Sequence, residues 1–378
     1  MTWLDSVAGR IAPLDSRAMS AASARLDQLT KPPGSLGRLE ALVTQLAGIT
    51  GREEPRVERP AIVVFAADHG VTAQGVSAYP SDVTAQMVAN FVRGGAAINV
   101  LAGLAGARVV AVDVGVGGPI PGVEAGSMIA GVRFIEARVA DGTRDMTLEA
   151  AMTRGEALAA IDVGRLVVSE LIAEGTDLVG VGEMGIGNTT AASALVAAMT
   201  GRPAADVTGR GTGLDDPALR HKVGVIESAL DRHRPDPADP LGVLSAVGGL
   251  EIAALVGAIL TAAESHVPVL LDGSITGSAA LLAAAMAPDV TARLIASHRS
   301  SEPGHGVVLD RLGLTPLLDL DLRLGEGSGA ALAMPLVRAA CAILAEMATF
   351  EGAAVSGPRA VLATRQRAAA GRGSGDDG

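Results

Sequence analysis

Residues 178–196 read LVGVGEMGIGNTTAASALV, and this stretch decides the fold because three elements follow one another in it. The apolar residues up to Gly182 predict a short buried strand of a parallel sheet. The glycine-rich segment GIGNTT (185–190) predicts a turn, and the Ala-rich residues after it predict a helix. Strand, turn and helix in this order form the unit from which α/β proteins are built.

The glycines of this stretch are open to a dinucleotide interpretation. Gly180, Gly182 and Gly185 spell G-x-G-x-x-G, a fingerprint that requires an acidic residue about 20 positions further on, at the end of a second strand. The candidate is Asp206, but no strand pattern precedes it in GRPAADVTGRG (201–211). The match therefore lacks the second strand that a dinucleotide site needs.

A turn that begins at Gly182 instead predicts a site for a single phosphate. The first turn of the helix contains Gly185, Gly187, Asn188 and Thr189. Free backbone N–H groups and the positive end of the helix dipole attract an anion there, and the threonine hydroxyls add donors. A third interpretation, a glycine turn capped by Asn188, needs no ligand.

Short apolar runs separated by Ala/Leu-rich helical stretches recur along the chain. The predicted strands are AIVVFAADHGV (61–71), ARVVAVDVGVG (107–117), TDLVGVGEMG (176–185), HVPVLLDGSITG (266–277) and ARLIASHRSS (292–301). Strands that alternate with helices predict an α/β fold with a parallel, Rossmann-like sheet and helices on both faces. In such sheets ligands bind beyond the carboxyl ends of the strands, where Gly, Asp, Ser and His follow each predicted strand.

The chain divides into two predicted domains and a tail. We expect a large α/β catalytic domain over residues 58–330 and a small helical domain formed from residues 1–57 and 331–364. The Gly-rich, polar residues 365–378 predict disorder because they offer little apolar surface to offset ordering entropy. Within the N-terminal part, two prolines and two glycines in TKPPGSLGRLE (30–40) predict a break between helices.

Composition limits the function classes. The chain has 378 residues, is 49% hydrophobic and carries a formal net charge of −11, which argues against a nucleic-acid partner because phosphate backbones require clustered Lys and Arg. A single cysteine, Cys341, excludes an intramolecular disulfide and fits the cytoplasm. No signal peptide or membrane span is expected, since the longest clean apolar run, IAALVGAILTAA (252–263), is too short to cross a bilayer.

Three further loops carry polar groups that the sheet would gather at one edge. TGRGTGLDDPALRHKV (208–223) presents Lys222, SHRSSEPGH (297–305) presents His298, Arg299 and Ser300, and LRLGEGSGAALAMPL (322–336) presents Glu326 between two glycines. Separately, each has a plain interpretation as a surface side chain or a glycine linker. Together they supply one carboxylate and several donors of the kind that bind phosphate.

Asp68 and His69 in FAADHGV (65–71) invite a metal site. No second His or Cys lies at ligand spacing, so we expect a strand-end turn that lines the substrate cleft instead. Neither a metal nor a cofactor is expected.

Several segments, in this order along the chain, strongly resemble the family of nicotinate-nucleotide:dimethylbenzimidazole phosphoribosyltransferases. They are TKPPGSLGRLE, FAADHGV, GVSAYPSDVTAQMVANFVRGGAAINVLA, GEMGIGNTTAASAL, TGRGTG, VLLDGSITGSAALLA, SHRSSEPGH and LGEGSGAALAMPL. The resemblance extends from about Thr30 to Val355. It implies a homodimeric enzyme that transfers the phosphoribosyl group of nicotinate mononucleotide to 5,6-dimethylbenzimidazole, giving nicotinate and the α-ribazole 5′-phosphate of the cobalamin lower ligand.

The resemblance also implies roles for single residues. Glu326 matches the general base of the family, and Glu183 matches a second active-site carboxylate. The positions that match the nucleotide and phosphate site are Gly185, Gly187, Asn188, Thr189, Lys222 and Ser300. Gln86, in VTAQM (83–87), and Leu324 match the benzimidazole pocket.

Three alternatives remain open from the sequence. The G-x-G-x-x-G match would fit a nicotinamide-dependent dehydrogenase, and the same fold could serve a non-catalytic nucleotide or base carrier. The carrier is disfavoured by Glu326, because binding alone needs no carboxylate beside the N–H group of the base. A family member that accepts another base, such as adenine or a phenolic compound, is the nearest alternative, and Gln86 and Leu324 do not decide the matter.

Overall fold

A seven-stranded sheet forms the centre of the protein in the computed structural model, which describes residues 3–357. The strands are β1 (Pro60–Ala67), β2 (Arg108–Gly115), β3 (Met128–Ile129), β4 (Val132–Glu136), β5 (Leu178–Met184), β6 (Val269–Leu271) and β7 (Leu294–Ala296). Their order across the sheet is β3-β4-β2-β1-β5-β6-β7, and β3 alone pairs antiparallel to its neighbour. The predicted parallel α/β sheet and all five predicted strands are confirmed.

Helices cover both faces of this sheet. In chain order they are α1 (Trp3–Val7), α2 (Ser16–Gln28), α3 (Arg38–Thr50), α4 (Val83–Val92), α5 (Ala97–Ala105), α6 (Arg154–Ala173), α7 (Asn188–Thr200), α8 (Ala204–Val207), α9 (Asp216–His233), α10 (Pro240–Val247), α11 (Leu250–Glu264), α12 (Ser274–Met286), α13 (Pro303–Leu312) and α14 (Ser328–Glu346). Three short 3₁₀ helices (Ala8–Arg10, Gly70–Gln74 and Pro288–Arg293) and a second, two-stranded sheet of β8 (His298–Arg299) and β9 (Leu318–Asp319) complete the described elements.

The central strand β1 is apolar throughout because it is buried on both faces. Val63 and Phe65 belong to the core beneath α6, α7, α11 and α12, while Ile62 and Val64 belong to the core beneath α3, α5 and α14. Successive side chains of a strand point to opposite faces, so a strand covered on both sides is mostly apolar, as β1 is at all eight positions. Chemistry is therefore left to the residues that follow the strand.

Strands β3 and β4 were not predicted. They lie between Gly117 and Asp145, and β3 is exposed while β4 is only partly buried. Strand β3 is at the edge of the sheet and β4 lies next to it, and strands that are not buried on both faces need no continuous apolar run. The pattern that predicts buried strands therefore does not detect them.

The helices from the two chain ends meet, but α14 also belongs to the main core. Helix α3 packs against α2 and α14, whereas α14 packs against α5 and lies on β1, β5 and β6. The division into a large and a small domain stays a prediction. Residues 358–378, which include the predicted disordered tail, lie outside the described residues.

Two helical segments of the described chain are long and apolar enough to cross a membrane by length and composition, Val83–Ala105 and Ser328–Glu346. Charged residues interrupt both apolar segments, Arg93 in the first and Arg338 in the second. The first segment consists of α4 and α5, separated by residues 93–96 with Gly94 and Gly95. The second is α14, which contains Pro335 and packs on the sheet as a core helix.

Candidate active site

The carboxyl ends of the parallel strands surround a cavity of about 440 Å³. Polar residues stand at or just beyond four of these ends: His69 after β1, Glu183 near the end of β5, Asp272 after β6 and His298 after β7. Of the residues that the sequence singled out, those in the cavity wall are Glu183, Gly185, Asn188, Thr189, His298, Ser300, Leu324 and Glu326, whereas Gly187 and Lys222 do not line it. The predicted edge of the sheet is therefore where these groups meet.

The glycines of β5 are required by close backbone packing. A Cβ atom at Gly182 would overlap the backbone nitrogen of Gly327, and one at Gly180 would lie 2.9 Å from the Met334 side chain. Both glycines lie inside the strand and not in the turn, and Asp206 lies on the short helix α8 and not at a strand end. The dinucleotide interpretation is therefore not supported.

The turn after β5 leads into α7 through a left-handed glycine. Gly187 has φ +97°, and a Cβ there would lie 2.8 Å from the Thr72 side chain. The Asn188 side chain does not cap α7, because its amide donates a short hydrogen bond to Glu183 Oε2. Asn188 thus orients a carboxylate, contrary to the interpretation that needed only a helix cap.

Thr189, Gly211 and Lys222 form what we call the phosphate region. Lys222 on α9 is fully buried, and its ammonium donates to Thr189 Oγ1 at 2.7 Å. Burial lowers the pKa of Lys222 to about 8, against the opposing effect of the Glu302 carboxylate. Because Thr189 lines the cavity and Lys222 does not, the ammonium reaches the cavity through the threonine hydroxyl.

Glu183, Asp272 and Glu326 form the carboxylate region. Glu326 has a left-handed backbone with φ +64°, between Gly325 at +89° and Gly327 at +82°. Its backbone N–H donates to the Glu183 carbonyl at 3.2 Å. The two glycines adopt a positive φ without strain, but a glutamate does so only at a cost, so Glu326 keeps this backbone because its neighbours hold the loop in place.

Asp272 supplies much of that support and was missed by the sequence analysis. Its Oδ2 accepts from the Gly327 N–H at 3.1 Å, and its Oδ1 accepts from the Gly329 N–H at 2.7 Å, so the carboxylate caps α14 directly after Glu326. Burial raises its pKa to about 7 despite these bonds. The only sequence signal was an Asp directly after a buried strand, a pattern shared with Asp68.

Burial also raises the pKa of the other two carboxylates. The pKa of Glu183 lies well above its usual range because of burial and the nearby charges of Asp272, Glu251 and Glu326. Burial raises the pKa of Glu326, and a bond from the Ile98 backbone N–H opposes this. Glu326 Oε2 is buried and has no hydrogen-bond partner within residues 3–357. Burial therefore disfavours the ionised form of all three carboxylates.

The two residues expected at the benzimidazole pocket are separated. Leu324 lines the cavity with 57% of its surface exposed. Gln86 on α4 lines a neighbouring depression of about 470 Å³, together with Asp68 and His69, whereas Val83 and Met87 of the same helix line the cavity. The role of Gln86 stays a prediction that this placement does not support.

His69 has a structural partner. Its Nε2 lies 2.7 Å from Glu251 Oε1, and both side chains are buried. Burial lowers the pKa of His69, but the charge and hydrogen bond of Glu251 and the charge of Asp68 together outweigh burial. The pKa of His69 is therefore raised. Within the described chain, no group of three or more His, Cys, Asp and Glu side chains is arranged to hold a metal ion.

Comparisons with known proteins give matches by family model, by sequence and by structure. A family model described as DBI_PRT, Phosphoribosyltransferase, matches residues 11–355. A Chloroflexus aggregans protein is 56% identical over 356 residues, 94% of this chain and 99% of the relative, and a Salinispora tropica protein is 53% identical over 360 residues, 93% and 99%. Both are named nicotinate-nucleotide–dimethylbenzimidazole phosphoribosyltransferase. A crystal structure of a protein of that name from Thermus thermophilus aligns with a TM-score of 0.84 at 48% identity, over 91% of this chain and 100% of the other.

Proposed function

Because the chain belongs to the DBI_PRT phosphoribosyltransferase family, we propose that it transfers the phosphoribosyl group of nicotinate mononucleotide to 5,6-dimethylbenzimidazole. The products are nicotinate and α-ribazole 5′-phosphate, and the reaction serves assembly of the cobalamin lower ligand. The meeting of Glu326 and Glu183 in a cavity that also reaches Lys222 through Thr189 is the structural observation that supports it.

The departing base needs no acid. In nicotinate mononucleotide the ring nitrogen already carries a positive charge, so breaking its bond to C1′ releases a neutral pyridine ring. The incoming benzimidazole attacks C1′ from the opposite side, which inverts that carbon from β to α. One half of the usual acid–base pair is therefore unnecessary.

Glu326 is the proposed general base. The benzimidazole attacks through its lone-pair nitrogen, and the N–H on its other nitrogen becomes more acidic as positive charge builds on the ring. The unpartnered Glu326 Oε2 can accept that proton, and its raised pKa makes it a better acceptor. Assistance of this kind contributes about 10²–10⁴-fold to the rate.

Glu183 is the proposed partner of the ribose. Its raised pKa favours the protonated form in the free enzyme, which can hold a ribose hydroxyl. In its ionised form, the Glu183 carboxylate stabilises the positive charge that develops on the sugar in the transition state. The bond from Asn188 keeps the carboxyl oriented for either form.

The donor's phosphate is assigned to the turn before α7. We place it against the Thr189 hydroxyl at the start of α7, with Gly185 lining the cavity beside it and Lys222 supplying charge. Ser300, which also lines the cavity, is assigned to the same nucleotide. Binding energy from this remote group can hold C1′ in line with the attacking nitrogen.

We also propose a homodimer in the cytoplasm. Val100 and Leu104 on α5 are 62% and 81% exposed, and an apolar helix face of this kind suits a second copy of the chain. A different acceptor base is the second candidate, because the exposed Leu324 side chain leaves the acceptor side of the cavity wall adaptable.

A product assay tests the proposal. Purified protein is incubated with nicotinate mononucleotide and 5,6-dimethylbenzimidazole, and chromatography follows free nicotinate and α-ribazole 5′-phosphate. We expect both products in equal amounts. Parallel reactions with adenine and with a phenol rank the acceptors, and release of nicotinate with no base transferred to any acceptor would contradict the proposed transfer.

A further inference from the structure

Gly211 is the point where four polar side chains meet. It lies in the loop formed by residues 208–215 between α8 and α9, and a Cβ there would lie 2.8 Å from Thr189 Oγ1 and 3.2 Å from Lys222 Nζ. Its backbone N–H donates to Glu302 Oε1 at 3.0 Å, and its carbonyl accepts from Arg323 Nη1 at 3.1 Å. The Arg323 guanidinium is therefore a close neighbour of the phosphate region.

The charges of the cavity wall make Arg323 distinctive. Of the described residues that line the cavity, three carry carboxylates, Glu183, Glu302 and Glu326, and Arg323 is the one Lys or Arg side chain. A nucleotide phosphate with nearly two negative charges would be repelled by these carboxylates. The buried Lys222 offsets them from behind Thr189, and with a pKa of about 8 it is not fully charged above neutral pH.

A guanidinium is suited to this position. It keeps its charge at every relevant pH, and its five N–H donors form a fork that matches two phosphate oxygens. The bond to the Gly211 carbonyl uses one of these donors. Arg323 is exposed, so its long side chain can turn toward a ligand without losing core packing.

We propose that Arg323 is a direct ligand of the donor's 5′-phosphate, on the solvent side of the site that Lys222 supports from within. This assignment rests on the proposed transfer from a phosphorylated nucleotide. Arg323 lies three residues before Glu326 on the same loop, so binding of the phosphate also fixes the segment that carries the general base. Arg323 thereby selects a nucleotide over the corresponding nucleoside.

The test compares two donors that differ only in the phosphate, nicotinate mononucleotide and nicotinate riboside. For Arg323→Ala we expect kcat/KM with the mononucleotide to fall about tenfold or more, the loss typical of a hydrogen bond between charged groups. The value with the riboside should stay within about twofold of wild type, since it has no phosphate to lose. Arg323→Lys should recover part of the preference because it keeps the charge without the fork.

Arg299→Ala is the matched control. Arg299 is an exposed arginine near the same edge of the sheet, but it pairs with Asp319 at 3.6 Å and does not line the cavity. Its removal should leave the ratio of the two donors unchanged, which separates a specific phosphate contact from the general loss of one positive charge.

Calorimetric binding of both donors without an acceptor keeps the two proposals distinguishable. A wild-type protein that binds the mononucleotide but transfers nothing would contradict the proposed function, while the affinities of Arg323→Ala would still decide the role of Arg323. Equal losses with both donors, or no loss with either, would overturn the phosphate assignment and leave Arg323 as a support of the 208–215 loop.

Discussion

The carboxylate region and the phosphate region of the same cavity are held in place by different means. Around Glu326 the backbone holds the loop: three residues have positive φ, Gly182 leaves room for the loop against β5, and Asp272 accepts three backbone N–H groups. Around Gly211 the site is held together by side-chain hydrogen bonds, which involve Thr189, Lys222, Glu302 and Arg323.

This difference predicts how each region responds to substitution. A general base must lie at hydrogen-bonding distance from the proton that it accepts in the transition state. A loop held by backbone hydrogen bonds keeps the base in that position before the substrate binds. A phosphate far from the reacting carbon needs charge more than fixed geometry. Changes in the carboxylate region should therefore reduce turnover, and changes in the phosphate region should weaken donor binding.

The largest expected effect is that of Glu326→Gln. Glutamine keeps the shape of the side chain but cannot accept the proton, so we expect kcat to fall by about 10²–10⁴-fold. The Kd for nicotinate mononucleotide, measured by calorimetry, should stay close to wild type. Near-normal turnover of Glu326→Gln would show that Glu326 is not the general base. The proposed difference in role between the two regions would then be contradicted as well.

A smaller loss is expected for Asp272→Asn. Both Asp272 oxygens accept backbone N–H groups, and the amide leaves only one acceptor, so the loop after Glu326 loosens. A displacement of about 1 Å can cost up to 10²-fold, so we expect kcat to fall about 10- to 100-fold with little change in the KM of the donor.

Asp15→Asn is the control for that variant. Asp15 caps α2 through Oδ1 alone, which accepts from Arg17 and Ala18, and asparagine retains such an oxygen. Its kcat and thermal midpoint should match those of wild type. Steady-state kinetics that show equal effects of the two substitutions would mean that Asp272 is only a helix cap.

The smallest effect is expected for Lys222→Ala. Loss of the ammonium should raise the KM for nicotinate mononucleotide about tenfold, with much less effect on the KM for the base. Because the pKa of Lys222 is lowered to about 8, its charge is present at pH 7 and lost as the pH rises through 8. Donor affinity of the wild type should fall over that range.

A pH series of donor affinity therefore accompanies that variant. Lys222→Ala should show a flatter profile above pH 7 than wild type, and Lys222→Arg should keep donor affinity at high pH because a guanidinium stays charged. Equal changes in the KM values for the donor and for the base would instead indicate that Lys222 is a structural residue. They would then weaken the distinction between a phosphate region that acts through charge and a carboxylate region that is fixed by the backbone.

The parallel strands were predictable because burial on both faces forces a continuous apolar run, as in β1 and β5. The exposed edge strand β3 and its partly buried neighbour β4 were not, since exposure removes that requirement. The sequence shows the glycines at 180 and 182 but not why they are needed. They make room for Met334 and Gly327, which lie about 150 residues further along the chain.

The sequence by itself determined the order of the buried parallel strands and the helices between them, the edge where polar residues collect and the resemblance that implies roles for Glu183 and Glu326. Only the tertiary structure decided that Asp272 supports Glu326, that Asn188 orients Glu183, that Lys222 is covered by Thr189 and that Gln86 lines a different depression. Periodicity and turn chemistry are local properties that neighbouring residues reveal. Hydrogen bonds between side chains of different elements, and the pKa shifts that burial causes, exist only once folding has brought those residues together.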